Sequence, residues 1–226
     1  MKMKLLSTLA LVIVGTQAFS QRMVDREVGN FSEIKVFDLI EVNLIKSDEN
    51  RILIKGPQTD DIRYVNYNGV LKLRMQLDKK FQGDDTVIEV YYTDVDVIDG
   101  NEGAKIVCNE LVNKHTLELR AQEGAQIHVG MTVDHVDVRA VTGGIVHASG
   151  LAKSQRIVLN TGGIFEGREL RTQESSIKIS AGGEAELHAS EKVDINVKAG
   201  GDVYVYGNPE QVHKSTFAGG RIYIDN

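Results

Sequence analysis

The chain contains no tryptophan, a single cysteine (Cys108) and few aromatic residues of any kind. One cysteine excludes an internal disulfide and any multi-cysteine metal cluster. Lysine and arginine are outnumbered by aspartate and glutamate, 26 against 32, and they are scattered among the acids rather than gathered into a stripe. With no tryptophan to stack on bases, that distribution argues against nucleic acid and anionic lipid as partners. No apolar run reaches the ~20 residues of a membrane-spanning helix. The nearest is Leu5–Val14, preceded by Lys2 and Lys4 and followed by Ala18-Phe19-Ser20. That order of charge, short apolar run and small residues is a secretory signal peptide. Cleavage after residue 20 leaves a chain that starts at Gln21, and loss of the two lysines moves the net charge from −6 to −8. No cysteine follows the cleavage point, so a lipid anchor there is not expected. The expected locations are the periplasm, the outer-membrane surface or the extracellular medium. No catalytic motif and no cofactor fingerprint is visible, and "GNEG" at 100–103 lacks the following helix that a phosphate loop needs.

What the chain does have is a repeat. Small-residue pairs occur at Gly103-Ala104, Gly124-Ala125, Gly143-Gly144, Gly162-Gly163, Gly182-Gly183, Gly200-Gly201 and Gly219-Gly220. Their spacings of 21, 19, 19, 20, 18 and 19 residues, with strand-like flanks, predict a β-solenoid with one rung per period. Residues at equivalent places agree in chemistry. Three positions after each glycine stand Ile106, Ile127, Val146, Phe165, Ala185, Val203 and Ile222, and five after it Cys108, Val129, Ala148, Gly167, Leu187, Val205 and Ile224. The position between reads Val107, His128, His147, Glu166, Glu186, Tyr204 and Tyr223. Period-two alternation puts the first two columns inside and the third outside. The strand before each glycine alternates in the same way, with Ile98, Leu119, Val138, Ile157, Ile177 and Ile195 inward and Asp99, Arg120, Arg139, Val158, Lys178 and Asn196 outward. Leu111, Met131 or Val133, Leu151 and Leu170 supply a less regular third contribution that closes the rung. Glycine at each corner meets a need for backbone angles that a β-carbon penalises and for close approach of stacked corners.

The organisation read from this is a signal peptide at 1–20, a lead-in at 21–29 and one all-β domain at 30–226: a single-stranded parallel β-helix with rungs of about 19–20 residues. Within it, 30–93 is an irregular strand region that starts or caps the stack, and 94–226 holds the regular glycine-pair rungs. The turn at 78–85 is the expected mobile element.

The leader, the opening "FSEIKVFDLIEVNLIKSDENRILIKG" and the glycine-punctuated strands together resemble the head GIN domain family of putative autotransporter adhesins, secreted or surface proteins of Gram-negative bacteria. The specific positions are Phe31, Ile34, Val36, Val42 and Ile54-Lys55-Gly56. The resemblance runs from about Phe31 to the C-terminus. It implies a right-handed parallel β-helix and adhesion or surface binding, and it carries over no catalytic residue.

Candidate binding residues lie in the outward column. His128, His147, Glu166 and Glu186 would stack at steps of about 4.8 Å. They form either a plain solvated face or a row offering imidazoles and carboxylates to a sugar or a divalent metal. A metal would need an enclosed site that the sequence does not indicate, so no metal or cofactor is expected. Tyr204 and Tyr223 continue the row, either as a cross-strand stabilising pair or as a flat platform for carbohydrate. Asp94, Asp96, Asp99 and Glu102 bear superficial likeness to the paired acids of polysaccharide-cleaving enzymes, but Asp94 and Asp96 alternate with Val95 and Val97 and so mark the outer face of a strand. Cys108 falls in an inward column as a core residue. The expected function is an exported non-enzymatic binding or scaffolding module whose partner is a polysaccharide or surface protein. The alternatives are a carbohydrate-active enzyme on a β-helix and a self-assembling envelope protein paired through an edge strand or stack end.

Overall fold

The computed structural model describes residues 23–225; the expected leader, 1–20, lies outside them. The described residues form a parallel β-solenoid of about seven turns without an α-helix. In chain order the strands are β1 (Met23–Glu27), β2 (Glu33–Val36), β3 (Glu41–Lys46), β4 (Arg51–Lys55), β5 (Ile62–Tyr67), β6 (Val70–Met75) and β7 (Val87–Tyr92). The glycine-cornered rungs follow as β8 (Val97–Gly100), β9 (Lys105–Cys108), β10 (Val112–Gln122), β11 (Gln126–Val141), β12 (Ile145–Asn160), β13 (Gly163–Gly167) and β14 (Leu170–Ile179). The stack ends with β15 (Gly183–His188), β16 (Lys192–Ala199), β17 (Asp202–Tyr206), β18 (Gln211–Ala218) and β19 (Arg221–Ile224).

Each rung has a first face before its corner and a second face after it. The two long strands β11 and β12 bend through the third side, so each contributes to both faces. Register is kept from rung to rung: Ile127 pairs with Val146, Val146 with Phe165, Phe165 with Ala185 and Ala185 with Val203. All five are fully buried. The inward column of the first face is buried as well, from Ile98 through Ile195. A one-residue slip would turn every such column to solvent, and this fixes the register.

Residues 30–93 contain rungs of the same stack, placed out of chain order. Strands β2 and β3 lie between β6 and β7 on one side and β8 and β9 on the other. Ile34 therefore pairs with both Leu71 and Ile98, and Val42 with both Ile88 and Ile106, so the inward columns run unbroken through this region. The corner between β2 and β3 has no glycine. Asp38 (φ 61°) and Leu39 (φ 64°) adopt the left-handed conformation instead. They are held there by Leu39 N–H donating to Glu102 O (3.0 Å) and Met75 N–H donating to Asp38 Oδ2 (3.0 Å). Beyond this rung, β4 runs antiparallel to β7, β1 antiparallel to β4, and β5 antiparallel to β6, covering the N-terminal end of the stack.

At the opposite end, β18 and β19 form the last rung. Lys214 and Thr216 stand opposite Ile195 and Val197, so the apolar columns of the first face turn polar there. An inward-facing charge of this kind discourages a further strand from pairing with an open edge. Asp99 departs from expectation in one respect. Its column is the outward one, yet the residue is only 4% exposed, because Lys35 from β2 and Arg120 from β10 flank it in register and Lys35 Nζ lies 3.2 Å from its carboxylate.

A second departure lies in the column Leu117, Val136, Gln155, Ser175, Val193, where two polar residues are buried in the core. Strand β15 stops at His188, and the chain turns back within Ala189–Glu191. The His188 carbonyl is met there by Ser175 Oγ (2.8 Å), Gln155 Nε2 (3.2 Å) and the Thr172 hydroxyl. A buried carbonyl left without donors costs about 1–3 kcal/mol. The double change Thr172→Val with Ser175→Ala, which keeps the volume nearly constant but removes two of the three donors and leaves only Gln155 Nε2, is expected to destabilise the fold by about 1 kcal/mol, the lower end of that range. Urea unfolding followed by circular dichroism would read it, and an unchanged midpoint would mean that the carbonyl is satisfied elsewhere.

Candidate functional site

The outward row of the second face is continuous. Register places His128 on His147, His147 on Glu166, Glu166 on Glu186, Glu186 on Tyr204 and Tyr204 on Tyr223. All six residues predicted from the repeat thus stand in one line across β11, β12, β13, β15, β17 and β19. Their contacts differ along the row. The His128 and His147 rings are stacked, with centroids 4.0 Å apart and planes 14° from parallel. His147 Nδ1 lies 2.6 Å from Glu166 Oε2. Glu186 follows, and then Tyr204 and Tyr223 stack with centroids 4.8 Å apart and planes at 9°. The tyrosine pair stacks at the rung spacing itself, and the imidazoles lean closer than it.

Burial, and after it the neighbouring His147, hold the His128 imidazole below its ordinary value. Two stacked imidazoles cannot both charge at low cost, so the stack favours the neutral ring. That preference contributes fully above the ordinary histidine value of about 6.5 and is lost as pH falls through the lowered one. Beside the tyrosines, Arg221 makes a double contact with Asp202, with Nε to Oδ1 at 2.7 Å and Nη2 to Oδ2 at 2.5 Å. This contact holds the Asp202 carboxyl below the usual carboxylate range.

Two positions further along each strand runs a parallel row, Gly130, Ser149, Arg168, His188 and Tyr206, which the glycine-pair alignment passed over because it stopped at the fifth position. The signal was present in continued alternation beyond the inward column. Small residues at Gly130 and Ser149 sink the face there, giving an open groove of about 440 Å³ between the imidazoles and Arg168 and Glu169. Cys108 reaches the groove wall and is half-buried. Burial and then Glu110 push its thiol up to about 12, so it is an unreactive wall residue. The Arg168 guanidinium stacks over Tyr206 at 4.4 Å. Imidazole faces, carboxylates, a guanidinium and phenol rings thus share one surface, which offers flat apolar contact and hydrogen bonding in alternation.

The structure brings other candidates into structural contacts instead. Lys114 bridges Asp94 (3.0 Å) and Asp96, joining β10 to the turn before β8. Glu102 lies at a corner against Asp38, away from this surface. Among the described residues, no group of three or more His, Cys, Asp or Glu side chains converges to hold a metal ion. Within the row, His147 directs a nitrogen to Glu166, and His128 presents its ring face to its neighbour. No helix among the described residues is long and apolar enough to cross a membrane.

A parallel β-solenoid with a continuous outer row of stacked rings and carboxylates defines the chain as a β-solenoid repeat protein. The chain belongs to the family described as putative auto-transporter adhesin, head GIN domain, which it matches over residues 30–209. Its fold is similar to that of a crystal structure described as a putative adhesin from Bacteroides fragilis, with TM-score 0.84, 17% identity, and coverage of 92% of this chain and 98% of that one. A protein from Parabacteroides distasonis described as a putative lipid binding protein is similar at TM-score 0.69 and 13% identity, covering 92% and 98%. A putative adhesin from the same organism is similar at TM-score 0.66 and 16% identity, covering 91% and 97%. At these identities the likeness shows the fold alone. No curated protein matches the chain.

Proposed function

We propose that this chain is an exported, non-enzymatic binding module that holds an extended polysaccharide along the outward rows of its second face. The observation that carries the reading is the unbroken row from His128 to Tyr223, with stacked rings at both ends and carboxylates between them. Sugar rings present apolar C–H faces that pack on flat rings, and hydroxyls that bond to carboxylates and guanidinium groups. A row rising by about 4.8 Å per rung offers a long ligand many weak contacts at once, so affinity comes from repetition rather than from one enclosed pocket. Membership of an adhesin family supports a location at the cell surface or beyond it.

The test is binding of the purified protein to a broad array of polysaccharides. The expected result is a selective hit that weakens at least about tenfold, a loss of roughly 1.4 kcal/mol, on Tyr204→Ala with Tyr223→Ala, and again on His147→Ala. Arg139→Ala, an exposed change on the first face, should leave it intact. A blank across the array, or equal loss from Arg139→Ala, would refute the reading.

A further inference from the structure

Two acidic side chains meet where the corner between β2 and β3 stacks on the corner between β8 and β9. Pairing of Val36 with Gly100 and of Glu41 with Lys105 brings Asp38 over Glu102, one rung apart, and both have left-handed backbone. Asp38 is 0% exposed. Its Oδ2 accepts the Met75 N–H, while Oδ1 and Glu102 Oε2 are buried and meet no donor. The carboxyl of Glu102 lies within hydrogen-bonding reach of that of Asp38. Two acceptors in contact away from water need a hydrogen between them.

The segment 76–86 packs on this corner. It joins β6 to β7 and so takes the place of a corner in the neighbouring rung. Gly83 N–H donates to the Asp38 carbonyl (3.1 Å), and Thr86 N–H donates to Gly83 O (2.9 Å). The approach is close enough that a β-carbon on Gly83 would stand 2.5 Å from the Asp38 carbonyl oxygen. The same segment exposes Leu77 (77%) and Phe81 (56%), the latter with φ 59°.

We propose that Glu102 holds a proton in the folded protein and donates it to the buried Asp38 carboxylate, and that this proton keeps the segment 76–86 seated on the corner. The charged groups around Glu102 are Asp38 from the preceding rung, Glu123 from the next, and Lys80 from the segment itself. Burial, then Asp38, raise the proton affinity of Glu102, Lys80 opposes them, and Glu123 adds a smaller push in the raising direction. A carboxyl with a raised value stabilises the fold below its ordinary value of 4.5, and that stabilisation is lost as pH rises through the raised one. Asp134, Asp194 and Asp202, held low by Lys153, Lys192 and Arg221, act in the opposite sense and lose their contribution on acidification. The lowered imidazole of His128 also acts on the acid side. Loosening with rising pH is therefore the signature of this proton.

The experiment is a carbon-detected NMR titration of the Glu102 carboxyl in the full chain, joined to chymotrypsin cleavage after Phe81 at about pH 8. Glu102 should titrate above the ordinary glutamate range and move down toward it in Asp38→Asn, whose amide suits a left-handed position. Wild type should be cut several-fold faster than Glu102→Gln at the same pH, because the glutamine amide supplies a permanent donor. Glu102→Gln removes no buried volume, so it tests the idea even if Asp38→Asn fails to fold. An ordinary Glu102 titration, or equal cleavage of wild type and Glu102→Gln, would overturn the proposal. Protection of wild type by millimolar calcium would also overturn it, because a cation would then be filling the place assigned to the proton.

Discussion

Gly163→Ala is expected to destabilise the protein by about 3 kcal/mol or more, while Gly162→Ala one residue earlier costs roughly 1–2 kcal/mol. The two glycines of a pair serve different needs. Gly162 has φ 76° and nothing within 4 Å of where a β-carbon would sit, so alanine there meets only the intrinsic penalty of the left-handed backbone. Gly163 has ordinary backbone angles, but its β-carbon would stand 2.0 Å from the Ala140 carbonyl oxygen of the rung beneath. Neither group is a flexible side-chain end, so the stacked corners would have to part, and the strand ladder on both sides would part with them. Gly144 faces Ala121 O at 2.1 Å and should behave like Gly163. The same slot holds buried Ala104 and Ala125 in earlier rungs, so the close approach belongs to particular corners and not to the repeat as such. Urea midpoints of the single variants would show the ranking; equal losses for Gly162→Ala and Gly163→Ala would contradict it.

Phe165→Ala should cost about 3–5 kcal/mol. Phe165 is the largest fully buried side chain, in a column where its register neighbours are Val146 and Ala185. Its ring lies over Gly167 two residues on, so closely that a β-carbon there would come within 2.2 Å of Cε1. The large residue and the absent side chain fill one volume between them, and removing the ring leaves a cavity that the rigid rungs above and below cannot close. Phe165→Leu should lose distinctly less, since most of the volume is kept. Thermal or urea unfolding would separate the two, and an alanine variant as stable as the leucine one would show that the core collapses around the gap.

These effects also show what could be read from the sequence. The rungs from β8 onward were legible because glycine marks each corner and because stacking in register gives equivalent positions equivalent chemistry. The β2–β3 rung was hidden for a specific reason: Leu39 occupies the slot that glycine holds elsewhere, its left-handed backbone secured by the Glu102 carbonyl and by contacts made far along the chain. Alignment on the apolar columns would have found it, since Ile34, Val36, Val42 and Leu44 fall in step with Ile98, Gly100, Ile106 and Cys108. The non-sequential order of β6, β2 and β8 has no local signature, because pairing partners in a parallel stack are chosen by the whole core.

At the site, the line from His128 to Tyr223 followed from the period alone. Its division into a ring stack, a His147–Glu166 contact and a second ring stack depends on side-chain rotamers that the repeat does not specify. Arg168 over Tyr206 falls in a column six positions after the first glycine, one step beyond the inward column where the repeat was read, and their contact spans two rungs, which no local pattern marks. Gln155 and Ser175 break an apolar column because His188 ends a strand early, which is a tertiary cause without a local mark.

In the proposed complex a polysaccharide lies on the second face and on no other surface. NMR shift mapping on isotope-labelled protein with an array-selected polysaccharide tests it most directly. Shifts are expected at His128, His147, Glu166, Tyr204 and Tyr223, extending to Arg168 and Tyr206, with Arg139 and Lys178 on the first face unmoved. Changes confined to the last rung around Phe217 and Ile222, or to the N-terminal strands, would contradict it.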